Sequence, residues 1–104
     1  MFGFFKNLFK SSSTKVDYKA LMKDGAQIVD VRSPGEYKSG HVQGSVNIPL
    51  DALPNNLSRI SKSKPVITCC ASGMRSGSAR SLLLSAGYTE VYNGGSWTRL
   101  QSQI

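Results

Sequence analysis

The stretch that decides the fold is PVITCCASGMRS, residues 65–76. Its first residues are β-branched or small and follow a lysine-rich turn, which is typical of a central strand. Small residues then form a short loop, and Ser76–Ala86 has helical spacing that ends at Gly87. In a parallel sheet, ligands bind where such a strand ends and a loop leads into a helix. Residues 70–75 are therefore the first candidate for a functional site.

The rest of the chain also alternates strands with helices. Further strands are predicted at residues 26–31, 46–48 and 88–92, and helical segments at 17–22, from Ser33 onward, at 53–60 and at 96–103. The clearest boundary is SPGE, residues 33–36, in which serine, proline and glutamate stand at the positions of a capping box. This alternation predicts an α/β fold with a central parallel β-sheet flanked by helices on both faces.

The composition narrows the class of protein. The 104 residues suit one domain, and thirteen Lys and Arg against six Asp and Glu give a formal charge of +7. No block of like charges appears, so we expect no specific nucleic-acid binding. The two cysteines are neighbours, and His41 is the single histidine, which argues against a disulfide framework, a structural zinc site or any other cofactor. We expect a monomer in a reducing, cytoplasmic compartment.

Residues 1–13 form a separate N-terminal segment, MFGFFKNLFK followed by serines, and residues 14–104 form the domain. On a helix Phe2, Phe5 and Phe9 would share one stripe, with the lysines largely opposite. Such a helix could make weak contact with a membrane surface or a partner through residues 1–10. The alternative, a terminal helix that packs on its own domain or frays, is slightly favoured because ten residues are few for an isolated helix.

The loop has the residues of an activated thiol. Ala71, Ser72 and Gly73 are small enough for the backbone to curl with its N–H groups inward as an anion nest. The following helix adds partial positive charge at its N-terminus, and both effects should lower the pKa of a thiol at the first loop residue. Arg75 could hold an oxyanion with two hydrogen bonds at the mouth of the loop.

Two cysteines compete for the role of nucleophile. Counting from Cys69 gives C-x5-R, the spacing of thiol phosphatases, and counting from Cys70 gives C-x4-R. Side chains alternate along a strand, so the two thiols point in different directions. The place at the end of the strand favours Cys70, but spacing alone leaves both readings open.

Longer motifs add to the argument. The stretch VDVRSPGEYKSGHVQGSVNIPL, residues 29–50, resembles the rhodanese (sulfurtransferase) domain family. The matching residues there are Asp30, Val31, Arg32, Glu36, Tyr37, Gly40, His41, Val42, Gly44, Asn47 and Ile48. The family's loop, C-x2-G-x-R and a hydroxyl residue, matches Cys70, Gly73, Arg75 and Ser76, and NGGSW resembles its closing G-G-x2-W. The resemblance covers roughly residues 14–102.

The resemblance implies the fold already predicted and a site in which Cys70 forms a persulfide and passes its sulfur on. The implied substrate-binding residues are Ala71, Ser72, Gly73, Met74, Arg75 and Ser76, and the implied supporting residues are Asp30, Arg32, Glu36 and His41. The implied partners are a small anionic sulfur donor, such as thiosulfate or a persulfide, and a thiophilic acceptor, such as cyanide or a protein thiol. Cys69 and the bulky Met74 depart from the family's pattern, and Met74 bears on the shape of the substrate.

Two other functions are compatible with parts of the same sequence. A C-x5-R phosphatase would use Cys69, but Thr68 stands where those enzymes have histidine, and no general-acid aspartate is evident. A non-catalytic interaction module would be expected to lack the loop cysteine. Sulfur transfer is therefore favoured, with Cys69 expected to be buried and dispensable. His41 is expected to be structural, and Asp30, Arg32 and Glu36 to form a charged network that braces the loop.

Overall fold

The computed structural model describes residues 16–104, so the predictions for the N-terminal segment lie outside the described residues. The strands are β1 (Gln27–Asp30), β2 (Val46–Asn47), β3 (Val66–Cys70) and β4 (Val91–Ser96). The α-helices are α1 (Tyr18–Lys23), α2 (Pro34–Ser39), α3 (Met74–Ser85) and α4 (Trp97–Gln101), and two 3-10 helices span Leu50–Asn55 and Leu57–Arg59. None of the helices in this part of the chain has the length and apolar character needed to cross a lipid bilayer.

The four strands form one sheet in the order β2-β1-β3-β4, and every neighbouring pair is parallel. Asp30 of β1 lies in register with Cys69 of β3, and Thr68 of β3 with Asn93 of β4. The carboxyl ends of these three strands therefore meet at one edge of the sheet. The predicted parallel α/β sheet is confirmed.

Each face of the sheet has its own hydrophobic core. On one face Cys70 belongs to a cluster that α3 completes through Ala79 and Leu83. On the other face Cys69 packs with Ile28, Val42, Ile67 and Leu100, next to side chains of α1 and α4. Helices thus cover both faces, and the alternation along β3 sends its two thiols into opposite cores, as the sequence predicted.

The capping box is confirmed at the start of α2. The Ser33 hydroxyl accepts a hydrogen bond from the Glu36 backbone N–H at 3.3 Å, and the Glu36 carboxylate accepts one from the Ser33 backbone N–H at 3.0 Å. Pro34 occupies the first helical position, where no N–H is needed. The helix therefore begins where the sequence indicated.

The structure differs from the predictions at three boundaries. The helical segment expected at 53–60 consists of two 3-10 helices, the first of which contains Pro54, whose missing N–H disfavours an α-helix. Helix α3 begins at Met74 instead of Ser76, so its first turn belongs to the loop. Strand β4 spans 91–96 instead of 88–92 and includes Gly94 and Gly95, which have low strand propensity.

Gly94 is required by a close approach of two strands. A Cβ atom at this position would lie 2.9 Å from Ile67 Cγ2 and 2.9 Å from the Thr68 carbonyl oxygen. Only glycine lets β4 lie this near β3 without displacement of either strand. The same approach brings β4 beside the loop that follows Cys70.

Candidate active site

Cys70 is the last residue of β3, and the loop after it turns directly into α3. Gly73 makes this turn with φ +107°, a left-handed conformation that residues with a side chain rarely adopt. Ala71 and Ser72 are exposed on the outer side of the loop. The predicted strand, loop and helix therefore place Cys70 at the floor of a tight turn.

The Cys70 sulfur accepts hydrogen bonds from the loop that surrounds it. The backbone N–H of Gly73 lies 3.0 Å from Sγ, that of Ser76 lies 3.3 Å away, and the Ser76 hydroxyl is also at 3.3 Å. Burial acts to raise the pKa of Cys70, but hydrogen bonds from Ser76, Gly73 and Ser72 outweigh it, and the net pKa lies below the ordinary value for a thiol. The loop thus favours a thiolate at Cys70.

The pKa of Cys69 is shifted in the opposite direction, although both thiols are buried. Its side chain is fully buried in the core beneath α1 and α4. Burial, followed by the nearby Asp30 carboxylate, raises the pKa of Cys69 to about 12. The prediction that Cys69 is buried is confirmed, and the C-x5-R count is left without an ionised nucleophile.

Arg75 is held by a carboxylate instead of pointing both terminal nitrogens at the loop mouth. Its Nη1 donates to Glu36 Oε1 at 2.8 Å, and its Nη2 donates to Oε2 at 3.0 Å. Arg75, and then the Ser33 backbone N–H, lower the pKa of Glu36 from 4.5 to about 2. The expectation that Arg75 presents a free two-pronged donor is corrected, because an oxyanion would meet its remaining N–H groups or would have to displace Glu36.

The supporting pair Asp30 and Arg32 is buried at the end of β1. Arg32 Nε lies 2.9 Å from Asp30 Oδ1, and its Nη2 lies 2.7 Å from Oδ2. Arg32 also donates to the carbonyl oxygens of Gly40 and Glu36 at 2.6 and 3.3 Å, and its guanidinium lies 4.9 Å from the centre of the Trp97 ring. These bonds tie Arg32 to the middle of α2 and to Gly40, the residue that follows it, and α2 carries the partner of Arg75. The pair therefore positions the site indirectly.

Two predicted site residues, His41 and Met74, make no hydrogen bond to the loop cysteine among those found in residues 16–104. His41 Nδ1 lies 2.7 Å from the Tyr37 carbonyl oxygen, and its exposed ring stacks on Tyr37 with 3.7 Å between ring centres. This is the structural role that the sequence predicted. Met74 is 82% exposed in the first turn of α3 and therefore borders the approach to the loop.

Asn93 is a site residue that the sequence analysis missed. From β4, its Oδ1 accepts hydrogen bonds from the Gly95 N–H at 2.9 Å and from the Ser76 hydroxyl at 2.6 Å, and its Nδ2 donates to the Gly73 carbonyl at 3.1 Å. The only sequence signal is an asparagine beside two glycines. Its place next to the loop depends on the register of β4, which no local pattern specifies.

The arrangement can do two things chemically: it can stabilise a thiolate, and it can accept negative charge near that thiolate. Two of the donors to sulfur are backbone N–H groups, which remain fixed during a reaction. Within residues 16–104, no three His, Cys, Asp or Glu side chains cluster closely enough to hold a metal ion.

Known sequences that resemble this chain include a family profile and two bacterial proteins. The sequence profile of the Rhodanese-like domain matches residues 14–102. The uncharacterized protein YqhL of Bacillus subtilis is 44% identical over 68 residues, which are 65% of this chain and 54% of YqhL. The thiosulfate sulfurtransferase PspE of Escherichia coli is 39% identical over 69 residues, covering 64% of this chain and 66% of PspE. The chain thus spans about half the length of YqhL and about two thirds of PspE.

Comparison with solved structures agrees. A rhodanese with anions from E. coli has a TM-score of 0.67 and 36% identity, covering 71% of this chain and 89% of its own. A rhodanese-like domain protein from Staphylococcus aureus has a TM-score of 0.67 and 28% identity, covering 93% of this chain and 83% of its own. Because the family profile matches nearly all of the described residues and the fold agrees with both structures, this chain belongs to the rhodanese-like domain family.

Proposed function

We propose that the chain is a sulfurtransferase in which Cys70 carries the sulfur between a donor and an acceptor. The observation that carries this proposal is the pair of backbone donors to Cys70 Sγ, the Gly73 N–H at 3.0 Å and the Ser76 N–H at 3.3 Å. A thiolate is the form of cysteine that attacks sulfur, and these donors favour it. The name of the relative PspE, a thiosulfate sulfurtransferase, supports the same reaction class.

The first step is attack of the Cys70 thiolate on the sulfane sulfur of thiosulfate. A bond forms between the two sulfur atoms, the bond from the sulfane sulfur to the sulfonate breaks, and sulfite leaves with the electron pair. The negative charge moves from Sγ to the outer sulfur of the resulting persulfide. A persulfide donor reacts in the same way and releases its own thiolate.

The second step returns the enzyme to its starting state. A thiophilic acceptor, such as cyanide or a thiolate, attacks the outer sulfur, and the Cys70 thiolate leaves. The acceptor becomes thiocyanate or a new persulfide, so that no oxidant or reductant is consumed. The lowered pKa of Cys70 assists this step because a less basic thiolate is a better leaving group.

The size of the loop favours sulfur over phosphate as the transferred group. The backbone N–H groups of Gly73 and Ser76 already bind the single Sγ atom, so these two donors are not free to bind the oxygens of a phosphate. Exposed residues 71, 72 and 74 surround the approach, which leaves the donor's sulfonate on the outer side. The +7 formal charge would assist capture of such an anion.

The test is intact-mass analysis after incubation with thiosulfate. The wild type should gain one sulfur atom and lose it on addition of cyanide, with release of thiocyanate. Cys70→Ser should neither gain sulfur nor release thiocyanate. Cys69→Ala is the matched control, since it removes the other thiol and should retain both activities. Turnover that survives in Cys70→Ser, or hydrolysis of an aryl phosphate that depends on Cys69, would refute the proposal.

A further inference from the structure

The Ser76 hydroxyl lies between two acceptors, the Cys70 sulfur and the Asn93 side chain. Its Oγ is 2.6 Å from Asn93 Oδ1 and 3.3 Å from Cys70 Sγ. Ser76 is fully buried, and its carbonyl oxygen is held by the Thr68 hydroxyl at 2.8 Å. The hydroxyl oxygen therefore stays in place, and only its hydrogen is free to turn.

The backbone fixes which atom of the Asn93 amide faces Ser76. The Gly95 N–H can only donate, so the atom 2.9 Å from it is the amide oxygen, and the Gly73 carbonyl can only accept, so the atom 3.1 Å from it is the amide nitrogen. The oxygen is the atom next to Ser76 Oγ. At 2.6 Å from that oxygen, the Ser76 hydroxyl must be the donor.

A hydroxyl has one hydrogen, so Ser76 cannot donate to Asn93 and to the Cys70 sulfur at the same time. While Ser76 donates to Asn93, its oxygen can only accept from Cys70, which suits the protonated thiol. A thiolate can only accept, and it gains the hydroxyl as a donor only when the hydrogen turns away from Asn93. The two acceptors compete for the same hydrogen.

We propose that Asn93 is a positioning residue for the reaction at Cys70: its Oδ1 holds the Ser76 hydroxyl hydrogen in the thiol and persulfide states and yields it to Sγ in the thiolate state. The inference rests on the proposed function for its role in turnover. When the thiolate attacks the donor, its charge leaves for the outer sulfur, and the hydrogen returns to Asn93. By this competition Asn93 keeps the thiolate more basic, and hence more nucleophilic, than Ser76 alone would leave it.

The other titratable and charged groups on the surrounding elements must remain constant in a test. They are Cys69 on β3, Arg75 on α3, Glu36 on α2, and the Asp30–Arg32 pair at the end of β1. Substitution of Asn93 by alanine changes none of these groups and introduces no charge. A change in the titration of Cys70 then reports on the hydroxyl and the loop.

The experiment is a titration of the Cys70 thiolate by its ultraviolet absorbance in wild type, Asn93→Ala, Ser76→Ala and the double variant. Cys69, with a pKa of about 12, stays protonated over the range used. Asn93→Ala should move the midpoint at least about 0.5 lower in pH, because the hydroxyl then donates to the thiolate alone. Iodoacetamide modification at the high-pH plateau should slow about twofold, as expected for a less basic thiolate.

The double variant separates this role from simple bracing of the loop. In the Ser76→Ala background the Asn93 substitution should leave the midpoint unchanged, because the shared hydrogen is gone. Tyr18→Phe is the control: it removes the 3.2 Å bond from the Tyr18 hydroxyl to the Asn93 carbonyl and should not move the midpoint. A higher midpoint in Asn93→Ala, or an equal shift in both backgrounds, would overturn the proposal.

A second variant, Asn93→Asp, covers the case in which Asn93→Ala does not fold, and the titration itself is independent of the sulfur donor. If Asn93→Ala does not fold, Asn93→Asp keeps the acceptor, and it should raise the midpoint more in the wild type than in Ser76→Ala. An equal rise would show a charge effect alone and would overturn the proposal. The titration needs no sulfur donor, so a protein with the expected midpoints that accepts no sulfur refutes the proposed function and not the role of Asn93 in ionisation.

Discussion

Glu36 neutralises Arg75 through two parallel hydrogen bonds, of 2.8 and 3.0 Å, at the entrance to the cysteine loop. Both side chains are 39% exposed, so the pair lies at the surface where an anionic donor would arrive. Under the proposed function, an incoming sulfonate would therefore meet a guanidinium that already has a carboxylate partner. The charge that Arg75 offers to a donor depends on Glu36.

The first prediction concerns this pair and the KM for thiosulfate. Glu36→Gln should lower that KM by about twofold, because loss of one exposed carboxylate contact strengthens the attraction of an anion only modestly. Arg75→Ala should raise it, with a smaller effect on folding. Glu90→Gln makes the same charge change at an exposed residue that has no bond to Arg75, and it should leave the KM unchanged. Equal KM values in wild type and Arg75→Ala would contradict a role for Arg75 in donor binding.

The second prediction is the acid dependence of the same contact. Because the folded protein lowers the Glu36 pKa from 4.5 to about 2, the ionised carboxylate stabilises the fold. That stabilisation is complete above about pH 4.5 and is lost as the pH falls toward 2. The difference in melting temperature between wild type and Glu36→Gln should therefore shrink over this range. A difference that stays constant from pH 6 to about pH 2 would show that Glu36 titrates normally.

The third prediction distinguishes the two thiols. Iodoacetamide at neutral pH should modify Cys70 and spare Cys69, whose buried thiol has a pKa raised to about 12. Peptide mapping after a short exposure checks this directly. Cys69→Ala should keep its turnover and lose about 1–2 kcal/mol of stability, since it leaves a small cavity among apolar side chains. Preferential labelling of Cys69 would contradict the assignment.

The fourth prediction tests the close approach of β3 and β4. Gly94→Ala should destabilise the fold by about 1–3 kcal/mol, because the new methyl group would overlap Ile67 and the Thr68 carbonyl. Chemical denaturation measures the loss. Gly35→Ala is the matched control, since a Cβ there meets nothing within 4 Å inside α2 and should be neutral or slightly stabilising. Comparable losses in the two variants would show that crowding at Gly94 is not the cause.

The parts of the fold that the sequence predicted are those with local chemical signals. The SPGE capping box needs only four neighbouring residues, and α2 begins where it indicates. The alternation along β3 likewise predicted that Cys69 and Cys70 point in different directions, and they lie in different cores. The end of the strand favoured Cys70 as the nucleophile, but the spacing left both cysteines open, and the resemblance to the rhodanese family supplied the rest.

The parts that were missed depend on contacts between distant segments. Strand β4 continues through two glycines because Gly94 fits against β3, and low local propensity gives no sign of this fit. Asn93 reaches Ser76 only in that register. The partner of Arg75 lies 39 residues away on α2, so neither residue alone shows that the guanidinium is already engaged.

One carboxylate oxygen of Glu36 bonds both to the N-terminus of α2 and to the guanidinium of Arg75. Oε1 accepts from the Ser33 N–H at 3.0 Å, the Ser33 hydroxyl at 3.1 Å and Arg75 Nη1 at 2.8 Å. An anion that draws Arg75 away leaves this oxygen to Ser33 alone, and fraying of α2 takes the carboxylate away from Arg75. Amide hydrogen exchange at Ser33 is consequently a built-in reporter of occupancy, readable by NMR without any label near the sulfur.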